Sequence, residues 1–253
     1  MLNANLQNVP KRPEKPRSNG LTMVMDKGLS NFQAKDMAES VGEYIDFVKL
    51  GFGTALITKD LAEKIAIYRA AGIRPYFGGT LFELFFIRNQ FDEFNRFLEK
   101  YKIDLVEVSD GSMEMDHHLK LEYISKLKQN YTVLSEVGSK KAGKIIPPAE
   151  WTSMMKAELE AGSWKVITEA RESGNIGIYN ADGSANTELI DDIMKAINGD
   201  DIIWEAPNKN QQTWFIKLLG PNVSLGNIAT NEVIPLETLR LGLRGDTFFD
   251  FLS

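Results

Sequence analysis

Short apolar runs rich in strand-forming residues alternate with longer amphipathic segments along most of the chain. The runs are Leu21–Met25, Ile45–Leu50, Arg74–Phe77, Asp104–Ser109, Thr132–Val137, Lys165–Ala170, Asp201–Ala206 and Val223–Ala229. Residues 31–44, 58–72, 117–130, 151–162, 187–199, 208–220 and 235–245 carry apolar side chains at threes and fours and read as helices. Several of them end at Gly, a common helix stop. Thr58 and Thr187 stand where N-caps belong, and Pro235 suits a first helical turn. Parallel strands need long crossovers, and helices supply them. Eight such units within 253 residues predict an α/β fold: a single-domain TIM (β/α)8 barrel. A doubly wound open sheet is the competing architecture. Against it, no GxGxxG follows the first strand, and no GxxxxGK[ST] occurs.

The barrel is expected to span residues 20–253, with residues 1–19 as a flexible, polar, Pro-rich N-terminal extension. Ser173–Asn186 is turn-rich and reads as a long loop, a hairpin or a lid. Composition excludes several kinds of chemistry. There is no Cys, so thiolate nucleophiles, disulfides and cysteine zinc sites are ruled out. The two His residues, His117 and His118, are adjacent and leave no room for a His-rich metal centre. With 29 basic and 35 acidic residues the formal charge is −6, which argues against a nucleic-acid partner. No stretch nears the roughly 18 apolar residues of a membrane span, and the first twenty lack an apolar signal core. The expected compartment is the cytoplasm.

The strands share one further property: each runs into polar or charged residues where it meets its following loop. Asp26-Lys27-Gly28, Lys49, Gly78-Gly79-Thr80, Glu107, Glu136, Glu169, Glu205 and Asn227 occupy these ends. Strand alternation then becomes informative. If Glu107 faces the barrel axis, so does Leu105; likewise Glu136 with Leu134, Glu169 with Ile167, and Glu205 with Ile203. The opposite parity would bury the carboxylates against the apolar helix layer, at a cost of several kcal/mol each. Four carboxylates are therefore expected at the C-terminal mouth, where barrel enzymes keep their sites. Such a ring repels itself unless cations share it. Lys27, Lys49, Lys140 or Lys141, and Arg171 supply part of the balance. A hard divalent cation such as Mg²⁺ would supply the rest. Backbone N–H groups around Gly79, or at a helix start after the eighth strand, can hold a phosphate. The mixture suggests a small polyanionic substrate. Taken singly, each feature has a bland counterpart. A strand-end Glu is commonly one half of an ion pair, Gly78-Gly79 a turn, Lys140-Lys141 a solvated pair, and the two His a surface feature. Recurrence at one end of so many strands favours a site.

At these strand ends the sequence resembles the phosphosulfolactate synthases, a TIM-barrel family. The resembling segments are GLTMVMDKGL (20–29), YIDFVKLGFGT (44–54), GGTLFE (78–83) and VEVSDGS (106–112). LSEVGSKK (134–141), EARESG (169–174), WEAPNKNQQ (204–212) and LETLRLGLRGDTF (236–248) continue the series. The resemblance implies Mg²⁺-dependent addition of sulfite to C3 of phosphoenolpyruvate, giving (2R)-phospho-3-sulfolactate, and assembly as a homo-oligomer. It implies that the lysine of the fifth-strand loop protonates C2. Here that lysine is Lys140 or Lys141, with Lys140 nearer the strand; Lys49 joins them as a catalytic candidate. Such a lysine acts near neutral pH if neighbouring cations or desolvation lower its pKa. Mg²⁺ falls to Glu107, Glu136 and Glu169, with Asp110 or Glu205 in reserve. Lys27, Lys49 and Arg171 would pair with substrate charges, and Ser109, Ser112 and Gly79 would donate hydrogen bonds. Two alternatives remain. One is a different barrel lyase or aldolase with a Schiff base on Lys49 or Lys140. The other is a non-catalytic relative, because the family also resembles plant heat-stress-associated proteins.

Overall fold

The computed structural model describes residues 2–140, 146–171 and 173–252. Eight parallel strands close into a barrel in chain order. They are β1 (Thr22–Asp26), β2 (Phe47–Leu50), β3 (Arg74–Phe77), β4 (Leu105–Val108), β5 (Thr132–Val137), β6 (Lys165–Thr168), β7 (Ile202–Glu205) and β8 (Leu225–Ala229). The helices are α1 (Asn31–Val41), α2 (Leu61–Ala70), α3 (Gly79–Phe86), α4 (Phe91–Lys100), α5 (His117–Leu127), α6 (Pro148–Ala161), α7 (Thr187–Ala196), α8 (Lys209–Leu219) and α9 (Val233–Arg240). The TIM-barrel expectation is met. No helix among the described residues is long and apolar enough to cross a membrane.

Strand parity sorts the core into two layers. Leu21, Met23, Phe47, Tyr76, Leu105, Leu134, Ile167 and Ile203 pack inside the barrel. Their neighbours in sequence, such as Val24, Val48, Phe77, Val106, Val133 and Val166, pack outward against the helices. Interior filling stops at one level of the barrel, and the glutamates begin above it.

Local chemistry differs from expectation in places. Residues 78–100 carry two helices, α3 and α4, that were not anticipated. The run TLFELFFI is apolar nearly throughout, so no 3.6-residue stripe can be read from it. Neither expected threonine caps a helix. Asp60 precedes α2 in a left-handed conformation, and the Asn186 side chain accepts from Leu189 N–H at the start of α7. Pro235 does lie in the first turn of α9. Tyr179 and Ala185 form an isolated antiparallel bridge, so the 173–186 loop closes on itself as a small hairpin.

Two groups of buried polar contacts hold the ends of the barrel. At the N-terminal end, Arg12 donates to Glu237 Oε1 at 2.9 Å and to Asn222 Oδ1 at 2.6 Å, and Arg17 donates to Asp46 Oδ1 at 3.2 Å. Lys15 caps the carbonyls of Gly42 and Ile45. At the C-terminal end of β1, Asp26 accepts from Gly28 and Leu29 N–H at 2.7 Å each, from Tyr68 O–H at 2.8 Å and from Lys64 Nζ at 3.1 Å. Lys64 and Asp26 are both fully buried. Removing one partner of such a pair strands the other charge in the interior. Lys64→Met should lower the unfolding free energy by about 3–5 kcal/mol in urea titrations. Pairing it with Asp26→Asn should restore part of that loss.

Candidate active site

The C-terminal mouth holds a cavity of about 480 Å³. Lys49, Glu107, Glu136, Lys140, Glu169, Arg171 and Glu205 line it, along with Met25, Phe52, Thr80, Ser112, Ser173 and Asn227. The four glutamates share the parity of the inward core residues, as alternation predicts, and each is at most 2% exposed. Closing the sheet into a barrel brings residues from all eight strands, or from the segments that follow them, to one place.

Lys49 stands at the axis. Its Nζ lies 3.1 Å from Glu205 Oε1, 3.2 Å from Glu107 Oε2 and 3.5 Å from Glu136 Oε2. Lys140 Nζ lies 2.7 Å from Glu136 Oε1 and 3.3 Å from Glu169 Oε2. Glu136 therefore bridges the two ammonium groups. The other carboxylates are fixed from behind. Glu107 accepts from Tyr76 O–H at 2.9 Å and from Gly79 N–H at 2.6 Å. Glu205 Oε2 accepts from Ala170 N–H at 3.0 Å, and Glu169 Oε1 from Arg171 N–H at 2.6 Å.

Charge is unevenly shared. Burial alone would lower Lys49, but Glu107, Glu205 and Glu136 outweigh it and hold the ammonium well above the usual lysine range. Lys140 is raised in the same way, with Glu136 and Glu169 overcoming its burial. Burial and the nearby Lys49 ammonium, which would lower it, are outweighed because two carboxylates flank this lysine directly. Glu136, facing both lysines, is held below the ordinary carboxylate range despite its burial. Glu169 is raised well above that range by burial and by the charge of Glu136. Glu205 is pushed up to about 7, chiefly by burial, with Glu136 and Glu107 adding to the effect against the pull of Lys49.

A cation would meet three oxygens here. One carboxylate oxygen each from Glu136, Glu169 and Glu205 lies within 4.8 Å of the others. Glu107 stands apart from this trio, with protein donors on both of its oxygens. Asp110 is engaged by Lys120 Nζ at 2.8 Å and lines a separate hollow.

The remaining sequence candidates divide. Arg171 and Ser112 are exposed at the cavity wall. Ser109 is buried, and its hydroxyl donates to Glu83 at 2.7 Å. Gly79 spends its N–H on Glu107, and any side chain there would strike Ser109. Both act behind the wall. Lys27 lies on the exposed β1–α1 loop and lines a different hollow, with Ser30 and Asn31. Lys141 falls outside the described residues. Tyr76, Glu83 and Asn227 were not assigned roles from the sequence. Tyr76 has a signal in the sequence, since it stands two residues before Gly78 on a strand that ends at the site, and it pairs in register with Lys49.

Residues 10–246 match the (2R)-phospho-3-sulfolactate synthase family. The chain is 43% identical over 244 residues to a phosphosulfolactate synthase of Bacillus subtilis, covering 95% of this chain and 97% of that one. It is 40% identical to one of Methanothermobacter thermautotrophicus, covering 94% and 95%. The protein HEAT-STRESS-ASSOCIATED 32 of Arabidopsis thaliana is 24% identical over 259 residues, covering 90% and 88%. Among solved structures, a 3-hexulose-6-phosphate synthase superposes with a TM-score of 0.56 at 16% identity, over 87% of this chain and 98% of that one.

The raised carboxyl of Glu205 has a consequence for stability. Its proton is held more tightly in the folded protein, at about 7, than in the unfolded chain, near 4.5. The resulting stabilisation is complete below pH 4.5 and disappears as pH rises through 7. The unfolding free energy should therefore fall between pH 5 and 8. Glu205→Gln should flatten that fall in denaturant titrations run across the range.

Proposed function

The chain belongs to the phosphosulfolactate synthase family of carbon–sulfur lyases, and from that premise we propose that it joins sulfite to phosphoenolpyruvate to give (2R)-phospho-3-sulfolactate. The observation that carries this reading is the placement of the Lys140 ammonium between Glu136 and Glu169, beside the acidic trio in the cavity. Charge acceptance and proton donation are thereby set side by side.

The sulfite sulfur attacks C3 of the enol phosphate and forms the C–S bond. The C2–C3 π pair moves toward the carboxylate, leaving an aci-carboxylate. Lys140 then gives a proton to C2, which completes the product. The raised pKa keeps Lys140 protonated at neutral pH, as an acid requires. Arg171, exposed at the wall, offers a fork that suits an oxyanion. Lys49 counters the glutamates at the axis and keeps their carboxyl groups in place.

Glu136, Glu169 and Glu205 fit Mg²⁺. They are hard oxygen donors, and Glu169 Oε2 is buried without a hydrogen-bond partner among the described residues. When bound, the ion supplies Lewis-acid stabilisation of the charge that builds on the substrate carboxylate. The Schiff-base alternative is disfavoured, because an imine-forming lysine must shed its proton and the surrounding carboxylates hold Lys49 and Lys140 charged. Cytoplasmic action is part of the proposal, supported by the absence of Cys.

Purified protein with phosphoenolpyruvate, sulfite and Mg²⁺ should yield a phosphosulfonate visible by mass spectrometry and ³¹P NMR. EDTA should abolish turnover. Lys140→Ala should lower kcat by roughly 10²–10⁴-fold, the usual share of a general acid. A folded protein that binds phosphoenolpyruvate but forms no sulfonate would refute the assignment.

A further inference from the structure

β8 is irregular where it reaches the site. Thr22 pairs with Leu225, yet Val24 pairs with Ile228, so three steps on β8 face two on β1. One extra residue is accommodated, which is a β-bulge. Its effect on side-chain direction is decisive. In a regular strand, Leu225 and Asn227 would share a face. Here Leu225 and Ile228, three apart, both pack outward against the helices. Asn227 is thereby turned inward and lines the cavity with Lys49, Glu205 and Met25.

The local sequence is built for this turn. A side chain at Gly226 would come within 2.6 Å of Met23 Cε and 3.1 Å of Ile203 Cγ2, so any other residue there would displace the inward-facing Met23. Asn227 itself adopts φ +56, the left-handed region that non-glycine residues enter at a cost. Its N–H faces Met23 Sδ at 3.4 Å in place of a strand carbonyl. The residue is only 7% exposed, and Oδ1 has no hydrogen-bond partner among the described residues. An unpartnered amide at the cavity wall adds no hydrogen bond to the fold and is open to one from a ligand. Strain, burial and lack of a partner coincide on one side chain that faces the cavity.

We propose that Asn227 is a substrate-contacting residue whose uncharged amide holds an oxyanion oxygen of a substrate on the β8 side of the site. This rests on the reading given under Proposed function. Oδ1 is the sealed-off end of the amide and the side-chain N–H₂ is not, so the side chain can present a donor to an anion in the cavity. The β8 side is where an uncharged donor is useful. A lysine there would join the ion pairs of Glu205, whereas an amide leaves that balance unchanged. The phosphate or carboxylate of phosphoenolpyruvate and the oxygens of sulfite share the required chemistry, and kinetics can separate them.

The test compares the native protein with Asn227→Gly and Asn227→Asp. Glycine adopts φ +56 freely, so a residue kept only for backbone shape would tolerate it. Asn227→Gly should unfold at or above the native temperature while losing roughly 10–100-fold in affinity, the share of one hydrogen bond to a charged group. Asn227→Asp keeps the shape and adds a negative charge, so its loss should be larger. Calorimetric titration with phosphoenolpyruvate reads binding without turnover. A raised phosphoenolpyruvate Kd and KM assign the contact to that substrate; a raised KM for sulfite alone assigns it to sulfite. If the native protein turns over and Asn227→Gly matches its Kd and both KM values within twofold, the inference is overturned while the function stands. If the native protein neither turns over nor binds phosphoenolpyruvate, both are overturned.

Discussion

Four glutamates and two lysines share the mouth of one closed barrel, and nearly everything else in the structure accommodates that arrangement. Carboxylates this deeply buried are tolerable only with partners, because an isolated buried charge costs several kcal/mol. Each is tied differently. Glu107 is held by a phenol, a backbone amide and Lys49; Glu136 by two ammonium groups; Glu205 by Lys49 and an amide. Among the described residues Glu169 has one ion pair at 3.3 Å and one amide, and of the four it is the one whose buried oxygen has no hydrogen-bond partner there. Two lysines cannot neutralise four ionised carboxylates. The deficit shows in the raised pKa values of Glu169 and Glu205, which hold their protons more tightly than an ordinary carboxyl.

Support for the site extends into the helix layer. Lys120 is fully buried on α5, and its Nζ contacts Asp110 Oδ1 and Glu158 Oε1 at 2.8 Å each and the Glu136 carbonyl at 2.6 Å. One ammonium thus joins the loop after β4, helix α6 and the strand that carries Glu136. The same loop receives Lys140. Its N–H donates to the Gly111 carbonyl at 2.9 Å, and a side chain at Gly111 would press on the Lys140 stem at 3.2 Å. Lys140 is therefore positioned by a short backbone contact and a missing Cβ, both anchored by Lys120. A catalytic group on a loop gains precision when that loop is tied to rigid elements in this way.

Much of this was legible in the sequence, for a simple reason. A two-residue period and one large cost, burying a carboxylate against apolar helices, fix which way Glu107, Glu136, Glu169 and Glu205 must face. What the sequence hid depends on contacts between distant residues or on breaks in periodicity. Helix α3 is apolar nearly all round because it packs between β4 and α4, which erases the stripe that periodicity needs. Ser109 and Gly79 lie in motifs at the site yet do not face the cavity: Ser109 donates to Glu83, and Gly79 holds Glu107 from behind. Asn227 reaches the cavity only because a bulge breaks the alternation that placed the glutamates. The direction in which the Lys140 pKa is shifted has no sequence signal, because its two carboxylate neighbours come from β5 and from the end of β6, and their proximity is a property of the closed barrel.

Under the proposed function, that last point links charge acceptance to proton donation. Glu136 and Glu169 hold Lys140 as an ammonium, and the same two carboxylates belong to the trio that fits a divalent cation. A carboxylate that shares its charge with a cation has less to give an adjacent lysine, so the lysine becomes a stronger acid. The raised pKa of Lys140 thus describes a resting state in which the proton is stored. Lys49 differs, because Glu107 is outside the trio and continues to hold it charged. Two lysines on one axis acquire separate roles from which glutamates they face: one keeps the ring together, and the other can release its proton.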